Sequence, residues 1–333
     1  MPAKSRRLVL YLPHRLPIWR LPATAVEAIR RRARRRFDLD LPLTEDAFVR
    51  ALPEAEVLFA WGLARRHVGT AARLRWLHTP LAGVDRVLNP ELVKSAIRVS
   101  SSRGVNSVAV AEHAAGLILA LTRGIADSVR AQTALRWTQE DLFDRKPPLE
   151  ELRGKLLGIL GLGDIGRELA RIGAALGMRV WGLTRASRAR PPHVEKMFTA
   201  GREDMLLRNA DVLVLAAPLT PATQGLIGER RLRRMKPSSI LINIGRGELV
   251  QEWALLRALR EGWIAGAGLD VFATEPLPPQ SPLWTAPRLV MTPHVAGTHP
   301  GYMAKSAGLF LANLKRYLAG EALVNSVDKK AGY

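Results

Sequence analysis

The run Leu156-Leu157-Gly158-Ile159-Leu160-Gly161-Leu162-Gly163-Asp164-Ile165-Gly166 decides the fold. Its first five residues carry no polar side chain, as expected of a strand buried on both faces of a parallel sheet. Glycines at 161, 163 and 166 then make a GxGxxG turn, and the stretch RELARIGAALG after it has the apolar period of a helix. A glycine-rich turn between a strand and a helix is the dinucleotide fingerprint. The glycines permit a tight turn, close approach of a pyrophosphate, and close packing of helix on strand. Amides at the helix N-terminus then face the phosphates. Gly161, Leu162, Gly163, Asp164, Ile165 and Gly166 are therefore candidate cofactor-binding residues.

Short apolar runs alternate with amphipathic stretches on both sides of this motif, which is the α/β pattern. Downstream, strands are predicted at 179–183, 212–216, 240–243, 266–270 and 289–291, and a last helix at 302–319. Upstream, strands are predicted at 8–12, 57–60, 74–78 and 97–100, with helices at 25–36 and 91–95. One long helix rich in Ala and Leu is predicted from 108 to about 134, followed by a breaker-rich segment ending at Lys146-Pro147-Pro148.

The strand after the glycine turn ordinarily ends in an acid that binds the adenine ribose. Here Thr184 stands at that place, Arg185 follows it, and Arg188 and Arg190 lie nearby. A carboxylate would repel a 2′-phosphate, whereas a hydroxyl with arginines accepts one. NADP is therefore expected in preference to NAD, with Thr184 and Arg185 as cofactor residues.

Three further segments each lie just past a predicted strand. They are Ile244-Gly245-Arg246-Gly247, the stretch Asp270 to Glu275-Pro276, and Thr292-Pro293-His294. In an open parallel sheet, ligands bind outside the carboxyl ends of the strands. Arg246, Glu275 and His294 become neighbours on that argument, and their chemistries fit one reaction. Reducing a 2-oxo acid needs a held carboxylate, a hydride and a proton for the carbonyl oxygen. An arginine fork grips a carboxylate with two parallel hydrogen bonds. A histidine supplies a proton near neutral pH. A carboxylate beside the ring fixes its orientation.

Composition narrows the alternatives. The chain has 333 residues, 47% hydrophobic and 24% charged, a globular balance with room for two domains. There is no cysteine, so disulfides, thiolate metal sites and cysteine nucleophiles are excluded, and no metal is expected. No apolar run reaches the roughly 18–20 residues of a membrane span. The N-terminal MPAKSRRLVLYLPHRLP reads as a short tail and a first strand rather than a signal peptide, so a cytoplasmic location is expected. The net charge of +20 raises the question of nucleic acid, and Arg30-Arg31-Arg32-Ala33-Arg34-Arg35-Arg36 would suit a phosphate backbone. Arginine is spread along the whole chain, however, and no zinc-finger spacing or RNA-binding aromatic motif accompanies it. The run is read as a solvated helix face that steers anionic ligands.

These motifs, in this order, resemble the D-isomer-specific 2-hydroxyacid dehydrogenase family. The resemblance is carried by Ala82-Gly83-Val84-Asp85, by the stretch GVNSVAVAEH from Gly104 to His113, and by GLGDIG. It continues through Ala217-Pro218-Leu219-Thr220-Pro221-Ala222-Thr223, the Arg246 and Asp270 segments, Glu275-Pro276-Leu277-Pro278 and Thr292-Pro293-His294. It implies two Rossmann-like parallel-sheet domains, a flavodoxin-like substrate domain and a dinucleotide-binding domain, with the active site in the cleft between them. The substrate domain would comprise residues 1–103 plus 295–333, and the cofactor domain 104–294. It implies substrate and cofactor-region binding by Arg246, acid/base work by His294 and pairing of Glu275 with that histidine. Backbone amides around Ala82, Gly83 and Val84 would hold the substrate carboxylate. Pro218, Thr223 and Ile244 would line the cofactor, and Asp270 would lie near the nicotinamide. The implied activity is a glyoxylate/hydroxypyruvate-like reduction to a D-2-hydroxy acid by a homodimer, in which Trp137 lies in the segment that reaches the partner.

Two other readings follow from relatives of this fold. Formate oxidation uses glutamine where this chain has Glu275. A cofactor-sensing co-repressor need not retain Arg246, Glu275 and His294. Among the other histidines, His113 reads as helix packing or a hydrogen bond, and His14, His67 and His78 have no partner that the sequence identifies. His299 and Tyr302 read as a loop and a helix start before any substrate role.

Overall fold

The computed structural model describes residues 6–185 and 189–333, so Arg188 lies outside the described residues. The chain divides into two compact units, Met1–Asn106 with Thr298–Tyr333, and Ser107–Gly297. Both junctions fall three residues beyond the expected ones. The second shift has a physical cause: the amides of Val295 and Ala296 bond to Asp270, which ties them to the second unit.

The first unit holds β1 (Arg7–Tyr11), β2 (Asp38–Asp40), β3 (Ala55–Ala60), β4 (Trp76–Thr79) and β5 (Arg98–Ser101). They form a parallel sheet in the order β2-β1-β3-β4-β5. Successive side chains leave a strand on opposite faces, and the apolar residues of β3 use both. Val57 and Phe59 pack with Phe310, Leu314 and Tyr317 of the C-terminal helix Tyr302–Leu318, while Leu58 and Ala60 pack with Leu77 and Val99 on the other face. The strand β2 departs from expectation. Its sequence is Asp-Leu-Asp, which an apolar pattern cannot find, and charge is tolerated there because the strand is an edge.

The second unit holds β6 (Leu156–Leu160), β7 (Arg179–Thr184), β8 (Lys196–Thr199), β9 (Val212–Leu215), β10 (Ile240–Asn243), β11 (Gly266–Leu269) and β12 (Leu289–Met291). All are parallel, in the order β12-β11-β10-β9-β6-β7-β8. The strand order reverses between β6 and β9, and the glycine turn leaves β6 at that reversal, where open α/β sheets bind their ligands.

The expected helix from 108 to 134 is two helices, Ser107–Thr122 and Ile125–Thr133, bent by 71°. Gly124 sits at the break with φ +67°, and a Cβ there would meet Leu149 at 2.9 Å. The first helix buries Val110, Ala114, Leu117 and Leu121 against the sheet, and the second buries none of its residues. No single helix among the described residues is long and apolar enough to cross a membrane.

Candidate active site

The glycine turn has the shape that a dinucleotide phosphate requires. The amides of Gly161 and Leu162 donate to the carbonyl of Leu183, which pins the turn to the end of β7. Gly161 has φ +112°, and a Cβ on it would lie 2.6 Å from the Ala216 carbonyl oxygen. A Cβ on Gly166 would lie 2.2 Å from the Gly161 oxygen, whereas nothing lies within 4 Å of one on Gly163. The outer glycines are thus forced by packing, and the middle one faces open space. The helix Asp164–Ala175 begins there with no side-chain cap, so its first amides remain available to an anion. Asp164, in that first turn, is paired with Arg167.

Thr184 ends β7 and is only 3% exposed, and Arg185 beyond it is exposed. The Arg190 guanidinium donates to the Glu195 carbonyl. After β9, the Thr223 hydroxyl donates to the Pro218 carbonyl at 2.8 Å and accepts the Thr220 amide at 2.8 Å, which closes that loop. Ile244 is buried at the end of β10.

The residues expected to do chemistry are joined by a chain of contacts. Asn243, fully buried at the end of β10, donates to the Arg246 carbonyl at 2.8 Å and accepts the Gly245 amide at 3.1 Å. The Arg246 side chain is half-buried, and its Nη1 donates to the Gly245 carbonyl at 2.7 Å. Next to it, a Cβ on Gly247 would lie 1.9 Å from the carbonyl carbon of Phe272, so the Arg246 turn rests directly on the loop after β11. The Phe272 amide donates to Glu275 Oε1 at 3.0 Å, and Glu275 Oε2 lies 2.8 Å from His294 Nδ1. That bond places a proton on Nδ1 and leaves Nε2 to meet a substrate oxygen.

His294 adopts φ +53°, a left-handed conformation costing a non-glycine residue on the order of 1–3 kcal/mol. Asp270 holds it there. The Asp270 carbonyl accepts the His294 amide at 2.8 Å. Its carboxylate, 2% exposed, accepts the Thr292 hydroxyl at 2.7 Å and the amides of Val295 and Ala296 at 2.9 and 3.0 Å. His113 completes the bracket, with Nε2 2.8 Å from the Thr292 oxygen and 3.6 Å from Asp270 Oδ1. Because the Thr292 hydroxyl donates to Asp270, its oxygen accepts from His113. The sequence reading found Asp270 but not this holding role, and it missed Asn243 and Thr292. A buried polar residue at the end of an apolar strand is the signal that would have found Asn243.

The Ala82-Gly83-Val84 loop belongs to the first unit. Ala82 and Gly83 are half-buried, and the Val84 carbonyl accepts the amides of Val87 and Leu88. Tyr302 begins its helix, 4% exposed, and donates its hydroxyl to the Pro80 carbonyl at 2.8 Å. Burial pushes its pKa up to about 12. His299 Nε2 lies 3.3 Å from the Val105 carbonyl. Three histidines without identified partners do have them. His14 Nδ1 accepts the Leu16 amide, His67 Nε2 accepts from Arg66, and His78 Nδ1 lies 2.7 Å from the Ser100 hydroxyl. Among the described residues, no three His, Asp or Glu side chains are grouped to hold a metal ion.

The pattern of the D-isomer specific 2-hydroxyacid dehydrogenase NAD-binding domain matches residues 115–296. A glyoxylate reductase of Aeropyrum pernix is 39% identical over 267 residues, covering 78% of each chain. A D-isomer specific 2-hydroxyacid dehydrogenase from Xanthobacter autotrophicus, solved with NADPH and MES, aligns at TM-score 0.82 and 29% identity over 99% of this chain and 100% of its own. An NADPH-dependent glyoxylate/hydroxypyruvate reductase from Sinorhizobium meliloti, solved with NADP and sulfate, aligns at TM-score 0.81 and 26% identity over 99% and 100%. The glycine turn, the braced His294–Glu275 pair and these likenesses agree: the chain belongs to the D-isomer specific 2-hydroxyacid dehydrogenase family.

Proposed function

We propose that the protein reduces glyoxylate-like 2-oxo acids to D-2-hydroxy acids, with NADPH used in preference to NADH. The observation that carries this reading is the 2.8 Å bond between His294 Nδ1 and Glu275 Oε2. A histidine so held keeps one nitrogen fixed and offers the other, which is the arrangement for delivering a proton to a carbonyl oxygen. Glu275 orients the ring and is itself oriented by the Phe272 amide. Arg246 grips the substrate carboxylate through its guanidinium, and the Ala82–Val84 loop of the first unit carries amides suited to a carboxylate. The glycine turn and the uncapped helix behind it hold a pyrophosphate. When bound, the reduced nicotinamide supplies the hydride. With both ring nitrogens protonated, His294 then gives the Nε2 proton to the oxygen as it gains charge and is left neutral with its Nδ1 proton still donated to Glu275, so the carbonyl becomes a hydroxyl.

The NADPH preference is supported by Thr184 standing where an acid would repel a 2′-phosphate, and by Arg185 just beyond it. The S. meliloti reductase is described as NADPH-dependent. Association with a second copy is supported by the apolar side chains exposed between 108 and 143, above all Leu135, Trp137 and Phe143.

Initial rates with glyoxylate, hydroxypyruvate and pyruvate, each with NADPH and NADH, test both parts. Turnover with a higher kcat/KM for NADPH is expected. A chain that reduces none of the three acids is not this reductase, and a preference for NADH removes the cofactor assignment alone.

A further inference from the structure

The first unit has its own strand-order reversal, between β1 and β3, and the loops leaving those two strands carry aromatic side chains. His14 and Trp19 follow β1, and Trp61 follows β3 directly. Their ring centroids form a triangle: His14 to Trp19 is 6.2 Å, His14 to Trp61 is 5.8 Å, and Trp19 to Trp61 is 6.3 Å. Trp19 also stands edge-on to buried Tyr302 at 5.1 Å. The three rings are too close to admit anything between them, so they make one wall. All three are half-buried, and the wall keeps an open side.

The wall is rigidly set. Trp61 Nε1 donates to the Pro13 carbonyl, and the Arg20 guanidinium donates to the carbonyls of His14 and Arg15. It is also fastened to the loop proposed to hold the substrate carboxylate. The Thr79 hydroxyl donates to the Trp61 carbonyl at 2.9 Å and accepts the Leu81 amide at 3.2 Å, and Tyr302 reaches Pro80 from the other side. In a 2-oxo acid the side chain begins on the carbon next to the carbonyl, a few bonds from that carboxylate. Open sheets in the order 2-1-3-4-5 bind ligands at the β1/β3 reversal, where this wall stands.

We infer that the His14–Trp19–Trp61 wall receives the side chain of the 2-oxo acid, and that acids bearing an aromatic ring are preferred to glyoxylate. This rests on the reductase reading above. Aromatic rings favour offset or edge-on partners at about 4.5–7 Å, and the tilted rings of the wall offer both. Glyoxylate has no side chain to place there.

The test compares phenylpyruvate with glyoxylate in two measurements on wild type, Trp61→Ala and Trp61→Phe. The first is kcat/KM with NADPH, and the second is calorimetric binding of each acid to the protein with NADP⁺ present. Wild type is expected to favour phenylpyruvate by about tenfold or more in both. Trp61→Ala should lower that ratio by about tenfold, through KM rather than kcat, and Trp61→Phe should restore most of it. Equal ratios in wild type and Trp61→Ala, or tighter binding of glyoxylate by wild type, overturn the inference. Binding decides it even if neither acid is turned over, and that absence of turnover would count against the reductase reading instead.

Discussion

Both sheets present a carboxyl edge, and the two edges are built from different materials. In the second unit the loops after β10, β11 and β12 are cross-braced by charge and hydrogen bonds, from Asn243 through Glu275 and Asp270 to His294. In the first unit the loops after β1 and β3 are held by ring packing and by backbone carbonyls capped from arginine and indole donors. Proton transfer needs groups fixed to a fraction of an ångström, and polar bonds have the directionality to do that. Choosing a side chain needs apolar surface at the right place, for which packing suffices.

The histidines give the contrast its strongest test. His294 is nearly half exposed and held at one nitrogen, whereas His78 in the first unit is wholly buried. His294→Ala should lower kcat by about three orders of magnitude while NADPH binding, followed by fluorescence titration, stays within about twofold. Turnover within tenfold of wild type would mean that the chemistry does not lie at this edge.

His78 should affect stability instead. Burial pushes its pKa down to about 3, below its unfolded value of 6.5. The folded chain therefore keeps it neutral while the unfolded chain takes up a proton as pH falls below 6.5. Stability from this group is complete above that value and is lost as pH drops toward 3. Between pH 7 and pH 5 the loss amounts to about 2 kcal/mol. Urea unfolding at the two pH values should show this decline in wild type and a shallower one in His78→Asn; equal declines would refute it.

A smaller effect is expected at Thr292, whose hydroxyl joins His113 to Asp270. Thr292→Val keeps the shape but leaves buried Asp270 and half-buried His113 each short of a partner, at about 1–2 kcal/mol. Urea unfolding should register that loss, together with a kcat drop of about tenfold as the His294 loop loosens. An unchanged kcat would show that the backbone bonds to Asp270 hold His294 without the hydroxyl.

Much of this architecture is legible in the sequence, and the exceptions have a common cause. The strands at 156–160 and 240–243 stand where the apolar runs put them, because central strands of a parallel sheet exclude charge from both faces. β2 and β8 are edge strands that carry Asp and Lys, so the same rule passes over them. The bend at Gly124 is hidden because a single glycine inside an Ala- and Leu-rich run still reads as helix. In the site, Arg246, Glu275 and His294 are readable as residues at strand ends. The bracket of His113, Thr292 and Asp270 is not, since it joins side chains as many as 179 positions apart. No local spacing carries that information.

The missing Cβ at Gly247 has a consequence for how such a site can change. With the Arg246 turn lying against the carbonyl of Phe272, neither loop has slack of its own. A new loop taken from a relative at one of these positions would collide with, or pull away from, the resident at the other. A change in one of them therefore calls for a matching change in the other, and new chemistry at this edge should enter through joint replacement of both loops.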